Sequence, residues 1–313
     1  MKRSKNQSDF VSSVGKKLSR QMGRRSNKKS KNKNELTVST GSTLLDLAIS
    51  GGRFYKGGLP TGILVEIFGP ASSGKTVLLS EIAGNVRRLG GEVMFLDPEA
   101  RLNKEFAKLF GLDPEEVDYS IPSTILDVFG AVRKWEPKDT GKIHGVFADS
   151  LAALTTEWEI ADKDQYGMRR AKEFSEQCRL VCRELPKRNI IMVCSNQVRQ
   201  NLDLYGPRYK SPGGEAVGFY SSLRLRCTSP IKIKRKRRIA KKEISRTIGI
   251  ETEVEVFKSS LWKPFRTAPV YILYDYGIDD IRANLQFIKT NTGATTYSIG
   301  DHRLASSIEE AIT

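Results

Sequence analysis

The chain has 313 residues, with 52 lysines and arginines against 36 aspartates and glutamates, for a formal charge of +16. That length and a 39% hydrophobic, 28% charged composition suit one large or two modest globular domains with a buried core. No apolar run approaches a membrane span and residues 1–20 lack the apolar centre of a signal peptide, which argues against membrane-spanning and secreted classes and for the cytoplasm.

In chain order, the first feature is a basic arm. Residues 1–34 carry twelve basic side chains against Asp9 alone, a net of +11, and are too polar to fold by themselves. Inside the arm Phe10, Val14, Leu18 and Met22 recur at a spacing of four, one stripe of a short amphipathic helix over residues 9–22 that needs a surface to dock on. The body follows, over residues 35–300. Short apolar runs at 63–68 (ILVEIF), 92–97 (EVMFLD), 144–149 (HGVFAD) and 189–196 (NIIMVCSN) predict strands, with helices over 75–89 and 167–185 between them. Buried strands separated by helices predict an α/β fold around a mostly parallel sheet covered on both faces. The runs at 222–227 (SLRLRC), 253–258 (EVEVFK) and 269–275 (PVYILYD) come without helical spacers and predict an antiparallel extension of that sheet. Between two of them lies a basic hairpin insert, IKIKRKRRIAKKEISR at 231–246, expected as the loop that joins them, with nine basic residues against Glu243, a net of +8. The arm and the insert thus leave about −3 for the rest of the chain, with a short tail at 301–313. Two cationic segments on a near-neutral body point to a polyanion, most often nucleic acid, although a solvated tail and a solubilising loop have the same composition. Cys178, Cys182, Cys194 and Cys227 form no CxxC pair and read as buried thiols of a reduced protein.

The chemistry sits at the strand ends. Gly69-Pro70-Ala71-Ser72-Ser73-Gly74-Lys75-Thr76 fits GxxxxGK[ST] between a strand and a helix, the context that motif requires. Its backbone N–H groups would cradle phosphates, Lys75 would reach the β- and γ-phosphates, and Thr76 would ligate Mg²⁺. The strand HGVFAD closes on Asp149, the expected second Mg²⁺ position. After EVMFLD, Glu99 is a candidate to take the proton of a water attacking the γ-phosphate, with Asp97 a rival for the same role. Gln197 and Arg199 end the strand CSN, where an amide could sense the γ-phosphate. The stretch after them combines Arg199, Arg208 and Lys210 with Tyr205 and Tyr209, a mixture suited to phosphate contact and base stacking and equally to an ordinary surface loop.

In this order the segments STGSTLLDLAISGG, GGLPTGILVEIFGPASSGKT, FLDPEARLNKEFAKLFGL, ADSLAALTTEWEI, SNQVR, SPGGEAVGFYSSLRL and VFKSSLWKPFRTAPVYILYDYGI resemble the RecA-type recombinases of bacteria and their phage-encoded relatives, over about residues 36–300. The resemblance implies a RecA-like ATPase core, Glu99 as the catalytic carboxylate with Lys75, Gln197 as the γ-phosphate sensor, and Phe106 and Tyr274 flanking the adenine of ATP. It implies that loops at about 161–170 and 200–215 line a filament axis and bind single-stranded DNA, with Arg169, Arg170, Lys172 and Arg179 beside the first. It further implies that the N-terminal helix docks on the neighbouring subunit, that Phe219 is an interface aromatic, and that Lys258 stands near the ATP at the subunit junction. The insert, with Lys232, Lys234, Arg235, Lys236, Arg237 and Arg238, falls where relatives receive duplex DNA, and its charge implies steep salt dependence. Three departures bear on this. Ser260 stands where a second junction lysine is common, Gly218 replaces another interface lysine, and the family's small C-terminal domain with its acidic tail is not expected after residue 300.

The sequence therefore predicts an ATP- and Mg²⁺-dependent recombinase that forms homo-oligomeric filaments on single-stranded DNA, takes up duplex and exchanges strands, in the cytoplasm of a bacterial cell or phage-infected host. Its rivals are a RecA-like ATPase that regulates or loads another recombinase, a hexameric motor with the same core, and a non-enzymatic DNA-coating module with a vestigial phosphate loop.

Overall fold

The computed structural model describes residues 36–53, 57–113, 115–160, 168–197, 199–200, 209–210, 216–239, 242–300 and 302–312. The arm at 1–34, its helix, most of the loops expected at 161–170 and 200–215, and Arg208 lie outside them.

The strands of the main sheet are β1 (Leu64–Gly69), β2 (Val93–Leu96), β3 (Asp118–Ser120), β4 (His144–Ala148), β5 (Ile190–Gln197), β6 (Leu223–Cys227), β7 (Ile231–Ile239), β8 (Lys242–Ser259), β9 (Thr267–Leu273) and β10 (Gly277–Ile278). Their order is β10-β9-β8-β6-β1-β5-β4-β2-β3, with β7 paired to β8. From β3 to β6 every pairing is parallel, and from β6 through β8 to β10 every pairing is antiparallel. The mixed α/β architecture expected from the strand and helix runs is present, with one correction. Leu223–Cys227 was expected within the antiparallel extension but is the hinge of the sheet, parallel to β1 at Leu223↔Val65 and antiparallel to β8 at Leu223↔Ser259. A parallel neighbour needs only a crossover of sufficient length, and the long segment from β5 to β6 provides it without a long helix in sequence view.

All six residues of β1 are buried, as a strand covered on both faces requires. One face carries helices α1 (Thr43–Ser50) and α2 (Lys75–Arg88), whose Leu45, Ile49, Leu78, Leu79 and Ile82 join Val65 and Ile67 in one core. The other face carries α4 (Ile125–Lys134) and α5 (Met168–Glu184), whose Phe129, Phe174, Cys178 and Val181 pack with Leu64, Val146 and Met192. Between these lies the short α3 (Lys104–Leu109), capped by the Asn103 side chain. The last two helices in the body are α6 (Ala216–Tyr220) and α7 (Asp280–Thr292).

A second correction concerns the insert. Residues 231–239 and 242–246 are strand rather than loop. They extend the β7–β8 ladder from Ile231↔Glu251 to Ile239↔Lys242, so the cations alternate between two faces of a ribbon. β-Branched isoleucines at 231, 233, 239 and 244 interleave with those cations and explain why so charged a stretch holds strand geometry.

Candidate functional site

The parallel strands deliver their carboxyl ends to one edge, where Gly69, Asp97, Asp149 and Gln197 all sit at or just beyond a strand tip. Such an edge is where α/β sheets bind ligands. The turn from β1 into α2 is built on glycine at two points. Gly74 is the left-handed N-cap of α2 at φ 85°, and a Cβ on Gly69 would stand 2.5 Å from the Cys227 carbonyl oxygen. Ser72 also takes a left-handed φ of 59°. The loop is closed on itself: Ser73 Oγ donates to the Pro70 carbonyl at 2.9 Å, and Lys75 Nζ donates to the Gly69 and Pro70 carbonyls at 3.2 and 2.7 Å. Burial pulls the Lys75 ammonium below its ordinary pKa, opposed by nearby Cys227, Asp149 and Glu99.

Thr76, the next residue, donates from Oγ1 to Asp149 Oδ2 at 2.6 Å, while the Ser195 hydroxyl donates to Asp149 Oδ1. These are oxygen donors with one carboxylate, the hard set that Mg²⁺ takes together with phosphate oxygens and water. Glu99 closes the site. Its Oε1 accepts from Ser150 Oγ at 2.8 Å and from Gln197 Nε2 at 3.5 Å, and its Oε2 pairs with Arg101 Nη1 at 2.6 Å. Asp97, the rival carboxylate, is 2% exposed and faces away: its Oδ2 accepts from the Leu102 N–H at 2.8 Å and the Tyr119 hydroxyl at 2.9 Å. Burial, and then that bond to Asp97, push the Tyr119 phenol up to about 12.

A cleft of about 590 Å³ is lined by Thr76, Arg101, Asn103, Phe106 and Tyr274 among others, so both aromatics expected around adenine line it. Phe106 is held edge-on against Phe110 with centroids 5.0 Å apart, and Tyr274 is half-exposed.

Lys258 is elsewhere. It pairs opposite Arg224 near the start of β1, away from the phosphate loop, and its Nζ donates to the Gly218 and Phe219 carbonyls at 2.9 and 2.7 Å. Phe219 itself is 74% exposed. Within one chain Lys258 is therefore engaged apart from the cleft. Behind it Glu66, fully buried, accepts from Arg224 Nε at 2.6 Å and Asn196 Nδ2 at 3.0 Å. The Arg224 guanidinium also stands over the Phe68 ring at 4.6 Å.

Of the residues expected at DNA, Arg169, Lys172 and Arg179 are exposed along α5, with Glu176 on the same side, and Arg169 stacks over the half-exposed Trp158 ring at 4.3 Å. Arg170 departs from them: it turns inward, donating to the Ala152 carbonyl at 2.9 Å. Arg199 and Lys210 pair across a two-residue ladder with Gln200 and Tyr209, so the stems of the second loop are joined. Lys232, Lys234, Arg235 and Lys236 are exposed on the ribbon, Lys236 meeting Glu243 at 2.7 Å, and Arg237 and Arg238 continue its register. The cysteines are free, with Cys178, Cys194 and Cys227 buried; burial pushes the Cys182 and Cys227 thiols up to about 11 and 12. Among the described residues no cluster of His, Cys, Asp and Glu could hold a metal without such help, and no helix is long and apolar enough to cross a membrane.

Sequence reasoning missed Ser150 and Ser195, which orient the two acids, and Arg101. Ser150 directly follows Asp149, but its partner Glu99 lies 51 residues away, beyond any local pattern.

A family model described as the RecA N-terminal domain matches residues 10–279. The protein named RecA from Acholeplasma laidlawii strain PG-8A is 32% identical over 287 residues, covering 88% of this chain and 80% of that protein. That from Thermus aquaticus is 33% identical over 288 residues, covering 88% and 78%, and that from Phytoplasma mali strain AT is 32% identical over 287 residues, covering 88% and 79%. Matched by the family model through both the phosphate loop and the hinge strand, and by these relatives over 88% of its length, the chain belongs to the RecA family.

Proposed function

We propose that this chain is an ATP-dependent DNA recombinase, a homo-oligomer that assembles on single-stranded DNA in the cytoplasm, pairs it with homologous duplex and exchanges strands. The observation that carries the reading is the convergence of Lys75, Thr76, Asp149, Glu99 and Gln197 on one sheet edge, beside a cleft walled by Phe106 and Tyr274. In this reading residues 69–76 cradle the triphosphate, and Lys75 exchanges the Gly69 and Pro70 carbonyls for phosphate oxygens. Thr76 and Asp149 would hold Mg²⁺, which supplies positive charge to the phosphate oxygens when bound. Glu99 accepts a proton as water oxygen bonds to the γ-phosphorus and the bond to the β-phosphate oxygen breaks, releasing ADP and phosphate. Gln197, at the tip of β5 and two residues from the Arg199–Lys210 stem, links the γ-phosphate to the loop that would hold single-stranded DNA.

DNA follows the charge. Arg169, Lys172 and Arg179 on α5 and Arg199, Arg208 and Lys210 on the second loop serve the first strand. The ribbon from Lys232 to Arg238 receives duplex. Arg235 faces Arg246 across the ladder, a like-charge pairing that costs stability in a bare ribbon and is relieved by a bound phosphate. Phe219 and Lys258 would meet the next subunit, and the basic arm would serve assembly. Nothing observed favours a regulator that lacks strand exchange.

The deciding assay is strand exchange between a single-stranded circle and linear duplex, with ATP and with a non-hydrolysable analogue. Joint molecules are expected in both. None in either, despite tight single-strand binding, would overturn the reading. Glu99→Gln should lower turnover by about 10²–10⁴-fold while keeping nucleotide-dependent DNA binding; turnover that survives would remove Glu99 from its role.

A further inference from the structure

The general-base candidate Glu99 is engaged on both oxygens. Ser150 and Gln197 donate to Glu99 Oε1, and Arg101 takes Oε2 at 2.6 Å. Three of the roughly four acceptor sites of that carboxylate are thus taken, and the one left lies on the oxygen that Arg101 holds. The Arg101 side chain, however, is 76% exposed, while that of Glu99 is 15% exposed, so the pair has one fixed and one movable member. Arg101 is also the sole cation among the described residues lining the 590 Å³ cleft, where Glu105 and Asp275 are the other charged groups. It lines that cleft together with Thr76, Phe106 and Tyr274.

The backbone aims it there. Asp97 fastens the turn after β2, its carbonyl accepting from the Ala100 N–H at 3.0 Å and its carboxylate from the Leu102 N–H at 2.8 Å. Ala100, between Glu99 and Arg101, is forced to a left-handed φ of 52°, which an alanine rarely adopts. The turn thereby sets two residues, which in a strand would be separated along one face, side by side at the mouth of the site. An incidental surface ion pair would need no such strained connector.

Resting on the nucleotide reading above, we propose that Arg101 is a phosphate-binding latch: it holds Glu99 while the cleft is empty and transfers to the phosphates of a bound nucleoside triphosphate, freeing Oε2 for the attacking water. A triphosphate brings several negative charges against the single charge of Glu99, and a guanidinium can grip two phosphate oxygens at once. The latch ties the release of the base to the arrival of its substrate.

Equilibrium binding of ATP, ADP and AMP to the full chain, using Glu99-intact protein at a concentration where hydrolysis is negligible, tests the first half. Arg101→Ala should weaken ATP by about tenfold or more, ADP by less and AMP hardly at all, and Arg101→Lys should recover part of the loss. Unchanged ATP affinity in Arg101→Ala, when the unaltered protein binds and hydrolyses ATP and Lys75→Ala does not, would overturn the latch and leave the ATPase reading standing. Failure of the unaltered protein to bind ATP would instead overturn both. The second half is tested by Glu99→Gln in each background. It should tighten ATP more when Arg101 is present than in Arg101→Ala, because only then is a competing partner removed. Equal effects in the two backgrounds would sever Arg101 from Glu99. Since Arg101 is exposed, thermal unfolding of Arg101→Ala should match the parent, and a large drop would assign the residue to structure instead.

Discussion

Asp46, on α1, accepts from Ser39 Oγ at 2.6 Å, Thr40 Oγ1 at 2.7 Å and the Thr40 N–H at 2.8 Å, and so fastens the turn before α1 to that helix. Burial nonetheless wins over those bonds and lifts its carboxyl from 3.8 to about 6. A raised carboxyl binds its proton more tightly in the folded chain. Its contribution to stability is therefore full below about pH 4 and is lost as pH rises through about 6. Asp46→Asn should remove that dependence: the stability of the parent relative to the variant should fall by an amount on the order of 2 kcal/mol between pH 4 and 6.5, followed by denaturant midpoints. A constant difference would mean that Asp46 is ionised throughout. The same contest between burial and partners explains what could be read in the sequence at this scale. Lys75, Thr76 and Asp149 were legible because a phosphate loop and a strand-end acid are local patterns. Spacing alone left Asp97 a rival to Glu99, which only the family resemblance chose, because what separates them physically is Tyr119, brought over from β3 to hold Asp97. Arg101 gave no signal, since its meaning depends on a turn whose shape no spacing rule encodes.

At the scale of elements, apolar runs located seven strands of the main sheet but not their partners, and they missed the short β3 and β10, the charged β7 and the first part of β8, residues 242–252. β6 has the i-B-i alternation of a strand covered differently on its two faces, and only the crossover from β5 makes one neighbour parallel. That placement has an energetic consequence. It sets Arg224 opposite Glu66, the one acid in the middle of an otherwise apolar strand, and the pair is completed by Asn196 from β5. Arg224→Met should cost about 3–5 kcal/mol by leaving the Glu66 charge buried alone, and the double change Glu66→Gln with Arg224→Met should recover most of it. Chemical denaturation of the parent, Arg224→Met, Glu66→Gln and the double variant decides; additive losses would show that the charges do not depend on each other. The pair also accounts for Gly218. A Cβ there would stand 2.7–3.1 Å from the Arg224 guanidinium, so the missing lysine at this position and the packed arginine are one feature. Restoring a side chain at 218 would have to move Arg224 off Glu66.

For the whole molecule, the excess charge is a matter of place. The net of +16 is carried by the arm and the ribbon, and the ribbon is now a two-faced strand pair projecting from the antiparallel end of the sheet, where a loop was expected. Its geometry makes the cations unequal. Lys232 and Lys234 are exposed with no acid opposite them, facing Ile250 and Thr247, whereas Lys236 already pairs with Glu243 at 2.7 Å. A phosphate bound by Lys232 or Lys234 displaces a counterion from DNA at full value, but one bound by Lys236 must first compete with a carboxylate. Lys232→Ala and Lys234→Ala should therefore each lower the slope of log affinity against log salt for duplex by about 0.9, and Lys236→Ala by clearly less. The measurement is duplex capture by filaments already formed on a single strand, titrated with salt. If the ribbon serves the second DNA, the slope for the first strand should not move in any of the three variants. A drop of equal size for single-strand binding would mean that the ribbon joins the primary groove, and the near-neutral body would then need no separate face for the incoming duplex.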